Sequence, residues 1–205
     1  MRNPWEEIPL ADYENHMSLR SVMQLQALNE RMKEQLNRYS VSSVMILGVA
    51  GGNGLEHIAR GRYQKVYGVD VNRDYLREAA RRNPHLDGCL ECLPVDLIRP
   101  GDRLPQAELV VANLLVEYIG PARFQEVLRR VGPRYVSCVI QVDLEGHWVS
   151  DSPYQAAFHG LEAVHQPVER EALEEALAQI QYRVLGAREY PLPNGKKFVQ
   201  LDFEK

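Results

Sequence analysis

The chain has 205 residues, 45% of them hydrophobic and 25% charged, with a formal net charge of −4. That is the length of a single domain with a substantial core, and an average globular composition rather than a disordered or membrane-embedded one. The acidic balance, with adjacent arginines in short pairs such as Arg81-Arg82 and Arg129-Arg130 at positions that read as helix surfaces, argues against a nucleic-acid binder, which carries a basic face.

The opening MRNPWEEIPL holds a tryptophan, two glutamates and two prolines where a signal peptide needs an apolar stretch. No apolar run reaches the ~20 residues of a bilayer span, so the expected location is cytoplasmic and no membrane partner is expected. Between Ser18 and Tyr39, the residues Val22, Leu25, Leu28, Met32 and Leu36 recur at three- and four-residue steps. This predicts one amphipathic helix capped by Ser18. Residues 1–40 are set apart as an N-terminal helical cap, followed by a domain spanning 41–205. The cap is read as a lid over a cleft, or else as a helix packed on the sheet's edge or on the second subunit of a homodimer.

From Val44 strands and helices alternate. VMILGV (44–49), KVYGVDV (65–71), CLECLPVD (89–96), AELVVANLL (107–115) and RYVSCVIQVD (134–143) read as strands. NGLEHIARG (53–61), RDYLREAARR (73–82), PARFQEVLRRV (121–131) and VEREALEEALAQI (168–180) read as helices, with Pro121 in a first turn. Near-continuous Val/Ile/Leu strands separated by helices indicate a parallel sheet covered on both faces. The end, YRVLGAREYPLPNGKKFVQLDFEK, carries two alternating strands around Asn194-Gly195, a strong hairpin signal. The expected fold is α/β: a Rossmann-like, doubly wound, mostly parallel seven-stranded sheet with a C-terminal antiparallel hairpin. Cys89, Cys92 and Cys138 are too few for a disulfide framework or a four-ligand zinc site, so no metal is expected.

LGVAGGNG (47–54) lies at the first strand-to-helix junction. Four glycines in seven residues, Gly48, Gly51, Gly52 and Gly54, permit positive φ and let the backbone approach a ligand, while the helix start offers unpaired N–H groups. Asp70 ends the second strand some twenty residues on, where a carboxylate accepts hydrogen bonds from ribose hydroxyls. Asn72 is free to cap the following helix. A nicotinamide site wants G-x-G-x-x-G, but from Gly52 the third glycine's place is taken by His57. A looser G-x-x-G-x-x-G over Gly48, Gly51 and Gly54 keeps a nicotinamide-dependent oxidoreductase as the alternative.

VMILGVAGGNGLEHI, YGVDVN, LPVD and ELVVANLLVEYI together resemble the successive motifs of class I S-adenosylmethionine-dependent methyltransferases, from about Val44 to the C-terminus. With its PWEEIPLADYENHM opening and LPNGKKFVQLDF close, the whole chain is similar to small bacterial methyltransferases of unassigned substrate. The resemblance implies S-adenosylmethionine as cofactor. Its methionine part would face Gly48, Ala50, Gly51, Gly52, Asn53 and Gly54, its ribose Asp70 with Val71, and its adenine Asp96 with the Leu97 backbone. Asn113 would contact the cofactor's amino group or the acceptor. In two places the loop departs from the family pattern. Gly48 stands where the family has an acidic residue, and Ala50 at the first glycine, which keeps open a protein that binds the cofactor and transfers nothing.

The segment after the fourth strand, NLLVEY, supplies Asn113, Glu117 and Tyr118 as catalytic candidates, to steer a nucleophile or accept its proton. It lacks the Asn-Pro-Pro-aromatic run of amide- and nucleobase-methylating members, so a small-molecule acceptor is favoured. Tyr13, His16, His147 and Tyr154 are the acceptor-pocket candidates, with His159 and His165 behind them.

Overall fold

The computed structural model describes residues 3–99, 103–143 and 149–205. Side chains alternate across a strand, so an uninterrupted apolar run is buried on both faces. In β1 (Ser43–Leu47), Val44 and Ile46 enter one core layer while Met45 and Leu47 enter the other. In β4 (Leu109–Asn113), Leu109 and Val111 join the first layer, Val110 and Ala112 the second.

These strands are joined by β2 (Lys65–Asp70), β3 (Leu90–Pro94), β5 (Tyr135–Val142), β6 (Arg183–Pro191) and β7 (Lys197–Glu204). The described residues form one seven-stranded sheet in the order β3-β2-β1-β4-β5-β7-β6. The pairs among β1 to β5 are parallel, and β7 runs antiparallel to both β5 and β6. The expected fold class holds, including the hairpin, whose turn has Gly195 at φ 75°. Because the order of the strands reverses at β1, with β2 and β3 to one side and β4 and β5 to the other, the carboxyl ends of these parallel strands open a crevice between β1 and β4.

The helices cover both faces. α1 (Leu10–Ser18) and α2 (Gln24–Arg38) precede the sheet. Next come α3 (Arg73–Arg82), the short α4 (Val116–Ile119), α5 (Pro121–Val131) and α6 (Arg170–Ala178). Asn72 caps α3 as expected, its side chain accepting from the Asp74 and Tyr75 N–H groups, and Pro121 opens α5.

Two expected helices come out differently. The single helix from Ser18 is two helices: Ser18 ends α1, its hydroxyl donating to the Asn15 carbonyl, and Met23 precedes α2 at φ 54° with no side-chain cap. The helix expected over 53–61 is only a 3₁₀ turn, Leu55–His57. α2 takes its place on the sheet. Met32 and Leu36 pack there with Val44, Ile46, Val66 and Leu109. A side chain on Gly54 would meet Met32 Cβ at 2.4 Å, so this glycine lets α2 approach the loop. Asn29 of α2 then ties down the turn, bonding Asn53, Glu56 and His57.

Candidate functional site

A cavity lies along the carboxyl edge of the sheet, beside the reversal between β1 and β4. β1 supplies Gly48 and Ala50, β2 supplies Asp70 and Val71, and the segment after β3 supplies Val95, Asp96, Leu97 and Ile98. Asn113, Leu115, Glu117 and Tyr118 reach it from the end of β4, and Gln141 from β5. The N-terminal segment closes the other side with Asn3, Trp5, Tyr13, His16 and Gln24. Val149, Phe158 and His165 complete the wall. Most of this lining is apolar or aromatic, with a few polar groups placed between, as in small-molecule sites generally.

Asp70 is partly buried at the cavity wall. Its Oδ2 accepts the Ala50 N–H at 3.0 Å and its Oδ1 the Asn72 N–H at 2.9 Å. Burial lifts the carboxyl to about 6, while the backbone N–H groups pull the other way. Each oxygen keeps a second lone pair for a ligand hydroxyl. Ala50 is at φ 47° and Gly48 at φ 71°, a left-handed pair that turns the loop so its N–H meets this carboxylate.

Asp96 is more heavily engaged. Oδ1 accepts from Asn3 Nδ2 at 3.0 Å and from the Ile98 N–H at 3.1 Å, and Oδ2 pairs with Arg99 at 3.0 Å. Asn113 makes a reciprocal amide pair with buried Gln35 of α2, at 2.8 and 2.9 Å. That pair consumes one donor and one acceptor of Asn113 and locks α2 to the end of β4.

Glu117 is buried, with Oε1 accepting the Gln141 N–H at 2.7 Å and Oε2 without a partner. Burial raises its carboxyl to about 7. Beside it, Tyr118 stands edge-on to Trp5 at 4.9 Å and to His165 at 5.5 Å, and burial drives its phenol upward. His16 is bonded through Nδ1 to Ser152 Oγ at 2.7 Å and packs on Phe158. Burial, then the nearby Lys196, lowers both His16 and His165, which favours the neutral imidazole in each.

Several expected contacts lie elsewhere. Gly51, Gly52, Asn53 and Gly54 do not line the cavity. A Cβ on Gly51 would meet Glu14, Arg82 and Leu10, and one on Gly52 would meet Asn83 and Ala79. At these positions the absent Cβ lets α1, α2 and α3 pack closely against the loop. The Asn53 amide donates to the Leu25 carbonyl. No α-helix follows the loop, so the helix N-terminus expected there is absent. Tyr154 packs in an aromatic cluster with Ile8 and Phe158, off the cavity lining. His147 lies outside the described residues. Sequence reasoning missed Trp5, Gln24 and Gln141, although Gln141 stands at a strand's carboxyl end, where such sites gather. A hydrogen bond joins the Gln24 and Gln141 amides across the cavity wall.

Among the described residues no group of three His, Cys, Asp or Glu is placed to hold a metal, and no helix is long and apolar enough to cross a membrane.

The strand order with an antiparallel β7, and a crevice at the switch point, define the fold of class I S-adenosylmethionine-dependent methyltransferases. No protein-family model matches the sequence, and no curated protein matches it significantly. Solved structures do. The [4+2]-cyclase SpnF is similar at TM-score 0.65 and 14% identity, over 90% of this chain and 82% of that one. The cyclopropane synthase MmaA2 from Mycobacterium tuberculosis reaches 0.65 at 12% identity, over 93% and 88%. Geranyl diphosphate C-methyltransferase from Streptomyces coelicolor A3(2), in complex with Mg2+, geranyl diphosphate and S-adenosyl-L-homocysteine, reaches 0.64 at 11%, over 87% and 77%. At these identities the likeness is one of fold.

Proposed function

We propose that this protein transfers a methyl group from S-adenosylmethionine to a small, largely apolar acceptor. The observation that carries this reading is the partly buried Asp70 carboxylate at the end of β2, facing a cavity that runs along the sheet edge in a methyltransferase strand order. The nicotinamide alternative loses support on two counts: no helix N-terminus follows the glycine loop to hold a pyrophosphate, and β7 is antiparallel where a dinucleotide fold continues parallel.

The residues present fit the cofactor. Asp70, with Val71, would take the ribose diol, and Asp96 with the Leu97 backbone the adenine edge, while Gly48 and Ala50 carry no bulk toward the sulfonium. When bound, the cofactor supplies a methyl carbon already activated by its sulfonium. The chain's work is to orient an acceptor in line and keep water out. Trp5, Tyr13 and Tyr118 supply the rigid apolar wall for that, and residues 1–40 act as its cap. His16 and His165, which line the cavity and whose burial favours the neutral imidazole, would accept a proton if the acceptor carries one. Asn113 acts through Gln35, as a positioning residue.

Isothermal titration with S-adenosylmethionine and S-adenosylhomocysteine tests the reading, and no heat with either, or stabilisation by NADH instead, overturns it. Asp70→Asn should weaken S-adenosylhomocysteine by about 10- to 100-fold, the worth of hydrogen bonds to a charged acceptor. Unchanged affinity would refute the ribose assignment. Gly48 in place of an acid, together with a cyclase among the similar folds, supports as second reading a cofactor-binding protein that methylates nothing. Tight cofactor binding without turnover across a broad acceptor panel would favour that one.

A further inference from the structure

We infer that Glu117 supplies the carboxylate for the α-ammonium group of the cofactor, in place of the acid that Gly48 does not provide. The inference rests on the cofactor reading above and deepens it. It starts from strand order. Asp96 follows β3, Asp70 ends β2, Gly48 follows β1 and Glu117 follows β4, and these four strands are consecutive neighbours. A nucleoside with its base at Asp96 and its sugar at Asp70 therefore points its remaining chain across β1 toward β4.

Strand spacing sets the scale, with Glu117 four residues beyond the end of β4. Neighbouring strands are about 4.8 Å apart, so the ends of β2 and β4 are separated by about 10 Å. Six bonds lead from ribose C4′ to the α-amino nitrogen, ~7 Å at the roughly 1.2 Å per bond of an extended chain. A hydrogen bond of about 2.9 Å at each end extends the reach beyond that gap.

The chemistry of the three acids lining the cavity, of which only Glu117 is fully buried, then selects one. Both Asp70 oxygens already accept backbone N–H groups, and both Asp96 oxygens have partners. Glu117 alone of the three has an oxygen, Oε2, with no donor at all. A buried carboxylate oxygen left bare costs free energy, and a cation with three N–H donors removes that cost. No basic side chain hydrogen-bonds Glu117 among the described residues, so the place beside it is open to a ligand cation. The assignment also accounts for the departure in the glycine loop, since a second acid at Gly48 would crowd like charge against the same ammonium site.

The experiment compares two probes, S-adenosylhomocysteine and 5′-methylthioadenosine, which lacks the amino-acid end, on the wild type and on Glu117→Gln by calorimetry. The variant should lose about 10- to 100-fold in affinity for S-adenosylhomocysteine and keep its affinity for methylthioadenosine, a coupling that only a contact with the amino-acid end produces. A third probe, the deaminated analogue that retains the carboxylate, should bind both proteins equally. Equal S-adenosylhomocysteine affinity in wild type and variant overturns the inference while leaving the cofactor reading standing. Loss of both nucleosides alike overturns it too, because Glu117 would then support the cavity and not the charge. Failure of the wild type to bind any of the three removes the cofactor reading itself.

Discussion

Asp202 and Glu117 are two acids buried to nearly the same depth, at 1% and 3% exposure, in opposite circumstances. Asp202, on β7, accepts the Ser137 hydroxyl at 2.6 Å, faces Gln200, and pairs with Arg38 at 3.3 Å and Arg188 at 3.7 Å. Among the described residues, Glu117 is met by main-chain N–H groups, that of Gln141 at 2.7 Å, and its Oε2 has no hydrogen-bond partner. Burial alone therefore does not mark a functional acid. What separates the two is whether the surrounding chain has already met the charge. The saturated acid joins β5, β7 and the end of α2, and the unsaturated one faces a cavity.

Asp202→Ala tests one side and should have the largest effect. Removing one partner of a buried ion pair strands the other, at roughly 3–5 kcal/mol when both are enclosed. Arg38 and Arg188 are 35% and 44% exposed and regain water, so a loss of about 2–3 kcal/mol is expected, read from denaturant midpoints. A change near zero would mean that the cluster is ornamental.

Glu117→Gln should move stability the other way. In the folded protein this carboxyl keeps its proton to about 7, whereas the unfolded chain releases it near 4.5. Between those values the native state holds more protons, so stability falls as pH rises. The burden is absent below about pH 4.5 and complete above about pH 7. The variant should match wild type at pH 4.5 and exceed it by up to about 3 kcal/mol at pH 8, the worth of that difference in pKa. Asp70, also raised, slopes in the same direction in both proteins and cancels from the difference. A variant less stable at pH 8 would make Glu117 a second Asp202 and end the contrast. Together with weakened S-adenosylhomocysteine binding, a gain in stability would show an acid retained at the expense of the fold.

The sheet was legible because its strands are apolar runs with clear stops, and the hairpin because Asn194-Gly195 admits little else. The Asn72 cap was legible for the same local reason. The helix after the glycine loop was misjudged because NGLEHIARG has adequate helix formers, while the decision was tertiary: α2 reaches the sheet first and Asn29 holds the loop in a turn. The same ambiguity affected the glycines. A missing Cβ admits a ligand or a helix equally well, and at Gly51, Gly52 and Gly54 it admits side chains of the protein itself. Asp70, Asp96, Asn113, Glu117 and Tyr118 line the cavity because parallel strands gather their carboxyl ends, a property of order along the chain. Gln24 and Trp5 come from an N-terminal segment whose path over the sheet edge no period or motif encodes.

The smallest expected effect sharpens the contrast most finely. Ser137 stands directly across from Asp202 in the β5–β7 register, so its hydroxyl is one donor among several. Ser137→Ala removes that donor and leaves Arg38, Arg188 and Gln200 in place, which should cost about 1 kcal/mol, the net value of a single hydrogen bond. In the double variant with Asp202→Ala the hydroxyl has nothing left to meet, so the combined loss should fall short of the two single losses added together by a similar amount. Full additivity would show that the 2.6 Å contact carries no energy, and a loss as large as that of Asp202→Ala would show that the hydroxyl outweighs both arginines. Glu117 allows no parallel dissection. Among the described residues its Oε1 is held at 2.7 Å by the main-chain N–H of Gln141, which no side-chain replacement removes, so that carboxyl is fixed by the geometry of β5.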